Sequence, residues 1–268
     1  MTTFLFWNLN GQPLGAMVGQ LASAHDVDVV ILVECAVADG ELLSVLNSST
    51  GASFHRPFST SGKVQLFSRL PHDTIQPVFD DGRLTVRRLI FQTTDILLAA
   101  LHFPSMVHWN DRDQQDEAGV FARHIAQCEA EFRHRRTVVV GDFNMNPFEH
   151  GMASSHGFHG VMTRTIAYRV SRTVNDREYP FFYNPMWSCF GDRTAGPPGT
   201  HYYDGGKPLT YFWNVYDQVL IRPDLLDRFH DELSILDSDG VRSLLTSRGR
   251  PDAKDASDHL PLLFRRDL

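Results

Sequence analysis

The sequence predicts an α/β (α+β) fold in which β-sheets pack face to face and helices cover their outer faces. Three observations support this fold class. Apolar, β-branched runs of strand length recur along the chain, as is typical of buried strands. Two segments carry apolar residues at helical spacing. Several strand-like runs follow one another without a helix between them, which favours packed sheets over a regular β-α-β alternation.

The predicted elements occur along the whole chain. Helices are predicted over residues 14–24 and 111–136, and the acidic start and basic end of the second suit the helix dipole. Strands are predicted at residues 3–8, 28–34, 63–68, 84–92, 96–103, 137–143, 215–221 and 260–266. Residues 168–211 are rich in Gly, Pro and aromatic residues. We interpret them as a long irregular insertion within a single domain of residues 1–268.

Composition limits the classes of function. Hydrophobic residues make up 42% of the chain, which is the share of an ordinary globular protein with a full core. The formal net charge is −7, which disfavours a protein that coats nucleic acid non-specifically, because such proteins are usually basic. The charge does not disfavour a compact site in which a bound cation meets a phosphate.

Cysteine usage and hydropathy predict the compartment. The three cysteines, Cys35, Cys128 and Cys189, are widely spaced and form no CxxC pair, so they indicate no disulfide framework. The first residues do not have the basic and apolar regions of a signal peptide. No apolar run reaches the roughly 18 residues that a membrane span needs. We therefore expect a cytoplasmic protein without a membrane span, and a monomer by default.

Polar or ionisable side chains stand beside an apolar run in six of the predicted strands. These residues are Asn8 and Asn10, Glu34, His102, Asp142 and Asn144, Asp217, and Asp258 and His259. Burying such a group without a partner costs roughly 1–3 kcal/mol. We therefore expect these side chains to meet one another or a ligand. The alternative is a set of unrelated caps and core hydrogen bonds.

The stretch VVVGDFNMNP, residues 138–147, shows the pattern most clearly. Residues i and i+2 of an extended backbone point to the same side, so Asp142 and Asn144 are predicted to project together from the end of a buried strand. The alternative is an Asx turn that ends the strand, because Asp, Asn, Gly and Pro dominate turns. This stretch alone leaves both interpretations open.

Three motifs, WNLNG, GDFNMNP and SDH, occur in this order along the chain. They resemble the motifs of the endonuclease/exonuclease/phosphatase superfamily, which has the fold of pancreatic deoxyribonuclease and of the abasic-site endonucleases. The resemblance runs from Phe4 to Phe264. It implies a four-layer sandwich of two packed mixed β-sheets flanked by helices. It also implies hydrolysis of phosphodiesters or phosphomonoesters with Mg²⁺ or Mn²⁺ as the cofactor.

The resemblance implies a metal site made of carboxylates and amides. Glu34 resembles the principal metal ligand, and Asp258 resembles a further ligand that binds directly or through water. Asn8 and Asn10 would support the metal or contact the phosphate. Oxygen ligands of this kind suit a hard divalent cation, which keeps several waters and needs only one or two carboxylates.

The resemblance also implies catalytic groups. Asp142 resembles the residue that orients or deprotonates the attacking water, and Asn144 would bind a phosphate oxygen. His259 would donate a hydrogen bond to the phosphate, while Asp217 fixes its tautomer and favours its charged form. His102 resembles a second phosphate-facing histidine or a general acid.

Residues around His102 bear on the subfamily and on substrate binding. Abasic-site endonucleases typically have tyrosine at this position, whereas deoxyribonucleases, tyrosyl-DNA phosphodiesterases and sphingomyelinases have histidine. Gln65 stands where deoxyribonucleases have a glutamate partner for that histidine. His108, Trp109 and Arg112 follow along the chain, and we predict that Trp109 and Arg112 bind substrate. A simple helix cap is the alternative.

The predicted function is therefore a divalent-metal-dependent phosphodiester hydrolase, a nuclease or a DNA-end-processing phosphodiesterase. Arginines and aromatic residues in residues 164–211 favour nucleic acid as the substrate, with DNA favoured. The acidic net charge instead favours a phosphorylated small molecule or lipid head group. A third alternative, a catalytically inactive binding module, predicts loss of the motif residues, which are all present.

Overall fold

The computed structural model describes residues 1–92, 94–105 and 109–267, without the side chains of His230 and Asp231. Its strands are β1 Thr2–Asn8, β2 Val29–Val33, β3 Val64–Ser68, β4 Ile75–Asp80, β5 Leu84–Ile90, β6 Asp95–His102, β7 Thr137–Asp142, β8 Gly160–Val161, β9 Ser171–Val174, β10 Arg177–Pro180, β11 Phe182–Tyr183, β12 His201–Tyr203, β13 Phe212–Asn214, β14 Asp217–Ile221, β15 Phe229–Ile235 and β16 Leu262–Arg266. Its α-helices are α1 Gly15–Ala24, α2 Asp39–Thr50, α3 Asp111–Phe132, α4 His150–Ala153 and α5 Arg164–Ala167, and two 3₁₀ helices span Pro185–Cys189 and Pro223–Arg228.

Two large mixed sheets form the centre of the fold. The smaller has the strand order β15-β16-β1-β2-β3, and the larger has the order β4-β5-β6-β7-β14-β11-β8. The hairpins β9–β10 and β12–β13 are separate two-stranded sheets. The predicted fold class is confirmed.

The buried residues of β6 show how the layers stack. Even-numbered residues 96–100 belong to the core that also contains β1, β2 and α1. Odd-numbered residues 97–101 belong to a second core, with the apolar face of α3. Because successive side chains of a strand point to opposite faces, one face of the larger sheet packs on the smaller sheet and the other packs on α3. The order is helix, sheet, sheet, helix.

Strand directions bring the polar strand ends together. β1 and β2 are parallel, and β16 runs antiparallel to β1. In the other sheet β6 and β7 are parallel, and β14 runs antiparallel to β7. In the smaller sheet, the carboxyl ends of β1 and β2 therefore lie at the same edge as the amino end of β16. In the larger sheet, the carboxyl ends of β6 and β7 lie at the same edge as the amino end of β14. All six strands that carry the predicted site residues meet at this edge of the sandwich.

Some predicted boundaries differ from the structure, and several elements were not predicted. The helix predicted over residues 111–136 ends at Phe132, because Arg133 adopts the left-handed conformation with φ 56°. The basic residues 133–136 thus follow the helix, and the expected match with its dipole at that end was wrong. The strand predicted at residues 215–221 begins at Asp217.

Helix α2 and strands β4 and β15 were not predicted. Most of the second half of α2 is Ser, Asn and Thr, which favour helices weakly, so its buried face rests on Leu42 and Leu46. Pro77 lies within β4, and proline argues against a strand unless the strand is at an edge, which is where β4 lies. Charged residues interrupt the apolar pattern of β15.

The structure also bears on the expectations about a membrane span and about the cysteines. Among these residues, no helix is both long enough and apolar enough to cross a membrane. Cys35, Cys128 and Cys189 are free cysteines, as predicted.

Candidate active site

The polar strand ends line a central cavity of about 860 Å³. The predicted site residues in its wall are Asn8, Asn10, Glu34, Asp142, Asn144, Asp258 and His259. His102 lines an adjoining cavity of about 450 Å³, which also contains Glu34. Asp217 is completely buried behind His259. The structure therefore brings together every residue that the strand-end pattern singled out.

Asp142 is the last residue of β7, and its side chain is 1% exposed. Its Oδ1 accepts a hydrogen bond of 2.8 Å from the backbone N–H of Asn144, which is an Asx turn. Asn144 has φ 48°, so the two side chains do not share one face of an extended strand. The Asn144 amide nevertheless contacts Asp142 Oδ2 at 3.3 Å and donates to the carbonyl of Phe103 at 3.0 Å. The turn and the pairing of the side chains thus coexist.

Asn8 connects the two carboxylates of the site. Its Nδ2 donates to Asp142 Oδ2 at 2.9 Å and to Glu34 Oε1 at 3.3 Å. Its Oδ1 accepts from the backbone N–H of Asn10 at 2.9 Å, and Asn10 has φ 48°. One amide therefore fixes the positions of both carboxylates and the start of the following loop.

Glu34 follows β2 in the left-handed conformation, with φ 48°, and its side chain is 39% exposed. His102 Nε2 lies 3.0 Å from Glu34 Oε1. The hydrogen bond from His102 is the main cause that lowers the pKa of Glu34, and Asn8 adds to it, while partial burial opposes both. His102 Nδ1 and Gln65 Oε1 are buried and have no partner among the described residues.

His259 and Asp217 form a buried ion pair, with His259 Nδ1 2.7 Å from Asp217 Oδ2. Burial alone would lower the pKa of His259, but the charges of Asp217 and Asp142 and the hydrogen bond raise it to about 10. His259 is therefore a charged donor at neutral pH. Burial is also the main cause that raises the pKa of Asp142, and the charge of Asp217 raises it further.

Asp258 contacts a histidine that the sequence analysis did not identify. His201 Nε2 lies 3.7 Å from Asp258 Oδ2. Burial raises the pKa of Asp258, but His201 and the charge of His259 outweigh burial and lower it. The His201 ring contacts those of Tyr216 and His259, with centroids at 5.2 and 4.8 Å. His201 begins a three-residue strand within the irregular segment, so no long apolar run marks it.

A buried polar network braces the loops of the site. Thr200 Oγ1 accepts from the backbone N–H groups of Tyr216 and Asp217, at 3.1 Å each. Asn146 contacts Asn214 and accepts from the N–H of Val215. These bonds hold the chain after β7 against the start of β14, which fixes the distance between the Asp142 and Asp217 backbones. Sequence reasoning missed Asn146 and Thr200, because turn-forming residues are common in loops.

Two hydrogen bonds also connect the end of β1 to the SDH segment, residues 257–259. Trp7 Nε1 donates to the carbonyl of His259 at 2.8 Å. Ser257 Oγ donates to the carbonyl of Asn8 at 2.7 Å. Both bonds are buried, so the SDH segment keeps its position beside β1.

Three clusters of the described residues could hold a metal ion, each with candidate ligand atoms within 4.8 Å of one another. Their members are Glu34, His102 and Asp142; Asp142, Asp217 and His259; and His201, Asp258 and His259. None of these clusters contains both Glu34 and Asp258, although both residues line the central cavity. Asp258 Oδ1 is buried without a partner in the described part of the chain. A carboxylate oxygen without a partner and a half-exposed glutamate fit an oxygen-preferring divalent cation.

Of the predicted substrate-binding residues, Asn144 lines the central cavity and His102 lines the adjoining one. Trp109 and Arg112 are not among the described residues that line the central cavity, although Asp111 and Gln114 are. Arg112 lies in the first turn of α3, where its N–H donates to the Asn110 side chain at 2.9 Å. His108 lies outside the described residues. Substrate binding by Trp109 and Arg112 stays a prediction.

The chain matches the Endonuclease/Exonuclease/phosphatase family over residues 5–259. It belongs to this family. The match includes all of the site residues described above, from Asn8 to His259. No curated protein matches the chain.

Solved structures with the same fold include a phosphatase and a protein bound to a DNA product. A mannosyl-6-phosphatase of Bacteroides thetaiotaomicron is 14% identical, with a TM-score of 0.58 and coverage of 100% of both chains. The human Nocturnin catalytic domain with a bound sulfate anion is 14% identical, with a TM-score of 0.57 and coverage of 98% of this chain and 93% of that one. D. rerio TDP2 complexed with a single-strand DNA product is 12% identical, with a TM-score of 0.55 and coverage of 100% and 99%. The chain is similar to all three in fold.

Proposed function

We propose that this family member is a divalent-metal-dependent phosphodiester hydrolase that acts on nucleic acid, with DNA favoured. The observation that carries the proposal is the convergence of carboxylates, amides and a charged histidine at one central cavity. His102 lines the adjoining cavity, and Asp217 supports His259 from behind. Hydrolysis of a phosphoester needs an aligned water, a donor to the phosphate oxygens and stabilisation of the leaving oxygen. The cavity offers a group for each need.

The metal site of the proposal uses Glu34 and Asp258, with Asn8 and Asn10 in support. A bound Mg²⁺ or Mn²⁺ would neutralise charge on the phosphate oxygens. Asn8 would keep Glu34 and Asp142 in fixed positions, because its amide donates to both. His102 now holds Glu34 at 3.0 Å and would contact the phosphate or protonate the leaving oxygen.

The reaction that we propose is the addition of water to phosphorus. Asp142 orients the water and takes a proton from it, and its raised pKa makes it a better base than an exposed aspartate. The P–O bond to the leaving group breaks, and the leaving oxygen gains a proton. His259 donates to a non-bridging oxygen as charge develops. Asn144 also donates there, after exchanging its 3.3 Å contact with Asp142.

A phosphatase that acts on a small phosphorylated molecule or a lipid head group is the second candidate. The net charge of −7 favours it, and a structure with the same fold is named a mannosyl-6-phosphatase. The third, an inactive binding module, is disfavoured because every motif residue is present.

A reducing, cytoplasmic location also remains a proposal, supported by the three free cysteines.

The proposal is tested with purified protein stripped of metal by a chelator. Addition of Mg²⁺ or Mn²⁺ should restore hydrolysis of bis(p-nitrophenyl) phosphate and of DNA, and p-nitrophenyl phosphate should be the poorer substrate. Faster hydrolysis of the monoester would favour the phosphatase. Full activity in excess chelator would exclude the metal-dependent reaction.

Glu34→Gln supplies the variant for this test. We expect it to raise the metal concentration needed for half-maximal activity by at least about tenfold, because a ligand charge is lost. The melting temperature of the metal-free protein should stay near that of the wild type, because Glu34 is 39% exposed. Glu131→Gln, which changes an exposed carboxylate on α3, is the matched control and should change neither quantity.

A further inference from the structure

The candidate active site is the middle of three adjoining cavities. The central cavity shares Glu34 and Ser105 with the cavity of about 450 Å³. It shares Asp258 with another cavity, of about 420 Å³. β2 and β16 flank β1 on opposite sides, so Glu34 and Asp258 stand on opposite sides of Asn8. The two outer cavities therefore lie on opposite sides of the reacting centre.

The charges along this row alternate in sign. The central cavity is acidic, with Glu34, Asp142 and Asp258 in its wall. Each outer cavity carries two cations: Lys63 and Arg83 in the first, Arg248 and Arg250 in the second. In a chain of net charge −7, cations placed on both sides of an acidic centre indicate a ligand with anions on both sides of the reacting group.

Lys63 and Arg248 are the cations most available to a ligand. Both are exposed, and neither forms an ion pair with another described residue. Arg250 differs, because it pairs with Asp204 at 3.4 Å and its guanidinium lies 4.2 Å from the centre of the Tyr202 ring. Tyr202 and Arg250 thus contact each other in the wall of the outer cavity.

Aromatic and apolar side chains from the β12–β13 hairpin form part of the wall of the central cavity. Tyr203, Leu209 and Tyr211 line the central cavity and are 52%, 69% and 49% exposed. Phe148 lines the same cavity and contacts Tyr211 edge to face, with ring centres 5.2 Å apart. Exposed rings of this kind stack on unpaired bases with little sequence preference. The bases of a duplex are already stacked on each other and do not offer their faces.

We propose that a single strand of nucleic acid passes through all three cavities, so that the protein cleaves within a strand and needs no strand end. This inference rests on the proposed function, because it uses the same reacting centre. The phosphate at the centre is hydrolysed, and the phosphates on each side meet Lys63 and Arg248. Water adds to phosphorus and one P–O bond breaks, which leaves one phosphorylated end and one hydroxyl end. A small phosphorylated molecule would use only the central cavity.

The test uses a covalently closed single-stranded DNA circle with Mg²⁺ or Mn²⁺ present. We expect the circle to become linear, and a relaxed duplex circle of the same sequence to be cut at least about tenfold more slowly. Hydrolysis of bis(p-nitrophenyl) phosphate reports the reacting centre alone. If this diester is hydrolysed while the circle stays closed, the strand proposal is wrong and the proposed function stands. If neither is hydrolysed, the proposed function fails. Equal or faster cutting of the duplex circle would overturn the single-strand assignment.

Variants on each side test the outer cavities. Lys63→Gln and Arg248→Gln should each lower the ratio of kcat/KM for the circle to that for bis(p-nitrophenyl) phosphate by roughly fivefold. Each should also reduce the slope of log kcat/KM against log salt by about 0.7, the value for one phosphate contact on a single strand. Lys254→Gln is the matched control: this lysine is exposed in the same loop as Arg248, outside the described wall of the cavity. If both variants behave like Lys254→Gln, the strand does not use the outer cavities.

Discussion

The region under α3 and the candidate active site both bury charged groups, and they differ in how many of the polar atoms of those groups have hydrogen-bond partners. Under α3, Arg222 and Glu129 are each 4% exposed and form two hydrogen bonds, of 2.8 and 3.1 Å. Arg222 also donates to the carbonyl of Phe181 at 3.0 Å and lies over the ring of Phe182. In the candidate active site, one oxygen of Asp217, one of Asp258 and one nitrogen of His102 have no partner among the described residues.

The difference separates a structural role from a chemical one. A buried charged group whose polar atoms all have partners has no atom available to bind a ligand. A buried charge with an unused atom beside a cavity keeps a cost of roughly 1–3 kcal/mol that a ligand can remove. Both regions look similar in the sequence, where each is a charged residue close to apolar ones.

The largest expected effect is the loss of stability when the buried ion pair of Arg222 and Glu129 is broken. Glu129→Gln leaves Arg222 buried without a countercharge, so we expect the free energy of unfolding to fall by about 3–5 kcal/mol. Urea denaturation measures this change. Activity per folded molecule should stay at the wild-type value, and Arg222→Met added to Glu129→Gln should recover much of the loss. A loss below about 1 kcal/mol would show that water or rearrangement replaces the missing partner.

The second effect concerns Asp142. Asp142→Asn keeps the oxygen that accepts from Asn144 but removes the charge that would take a proton in the proposed reaction, so turnover should fall by about 10²-fold or more. Stability should change by less than about 1 kcal/mol, because loss of the buried charge offsets the lost bond from Asn8.

Asp239→Asn is the control for the turn. Asp239 is 2% exposed and accepts from the N–H of Val241 at 2.9 Å and from the N–H of Arg242 at 2.6 Å, outside the candidate site. We expect it to change stability and leave turnover alone. If Asp142→Asn instead unfolded the protein and spared activity per folded molecule, the role of Asp142 would be only to form a turn.

The third effect tests the buried pair of the site. If Asp217 acts only through His259, then Asp217→Asn, His259→Ala and the double variant should lose similar amounts of activity. Strictly additive losses would show two independent roles.

The pair also predicts a pH dependence. The pKa of His259 is raised to about 10, so its charged form contributes stability fully below the unfolded value near 6.5 and loses that contribution as pH rises through about 10. Asp217→Asn removes the charge that raises this pKa, so the alkaline limb of kcat/KM should move to lower pH. An unmoved limb would assign it to another group.

The fold and most of the candidate site could be predicted because both depend on long strands. A run such as VVV before Asp142 marks a strand, and the end of a strand marks where a polar group can face a ligand. Asn8, Glu34, His102 and His259 stand at such ends. His201 could not be found in this way, because its strand has three residues.

Tertiary packing explains the remaining differences. Helix α2 depends on two buried leucines rather than on its own propensity, and the Asx turn at Asp142 depends on a left-handed Asn144. Sequence alone left the turn and the pairing of side chains as alternatives. The structure contains both, because one carboxylate has two oxygens: Oδ1 accepts from the turn and Oδ2 from Asn8.

The bonds that tie the SDH segment to β1 have a consequence for the order of events during synthesis. Trp7 and His259 are 252 residues apart, and Asn8 and Ser257 are 249 apart. At about 5–20 residues per second, the ribosome needs roughly 12–50 s to make the intervening chain. Asn8, Glu34 and Asp142 are therefore synthesised long before Asp258 and His259, and the candidate site stays incomplete until those two residues have been added. Under the proposed function, a growing chain would therefore be unable to hydrolyse a phosphoester until β16 has joined the sheet.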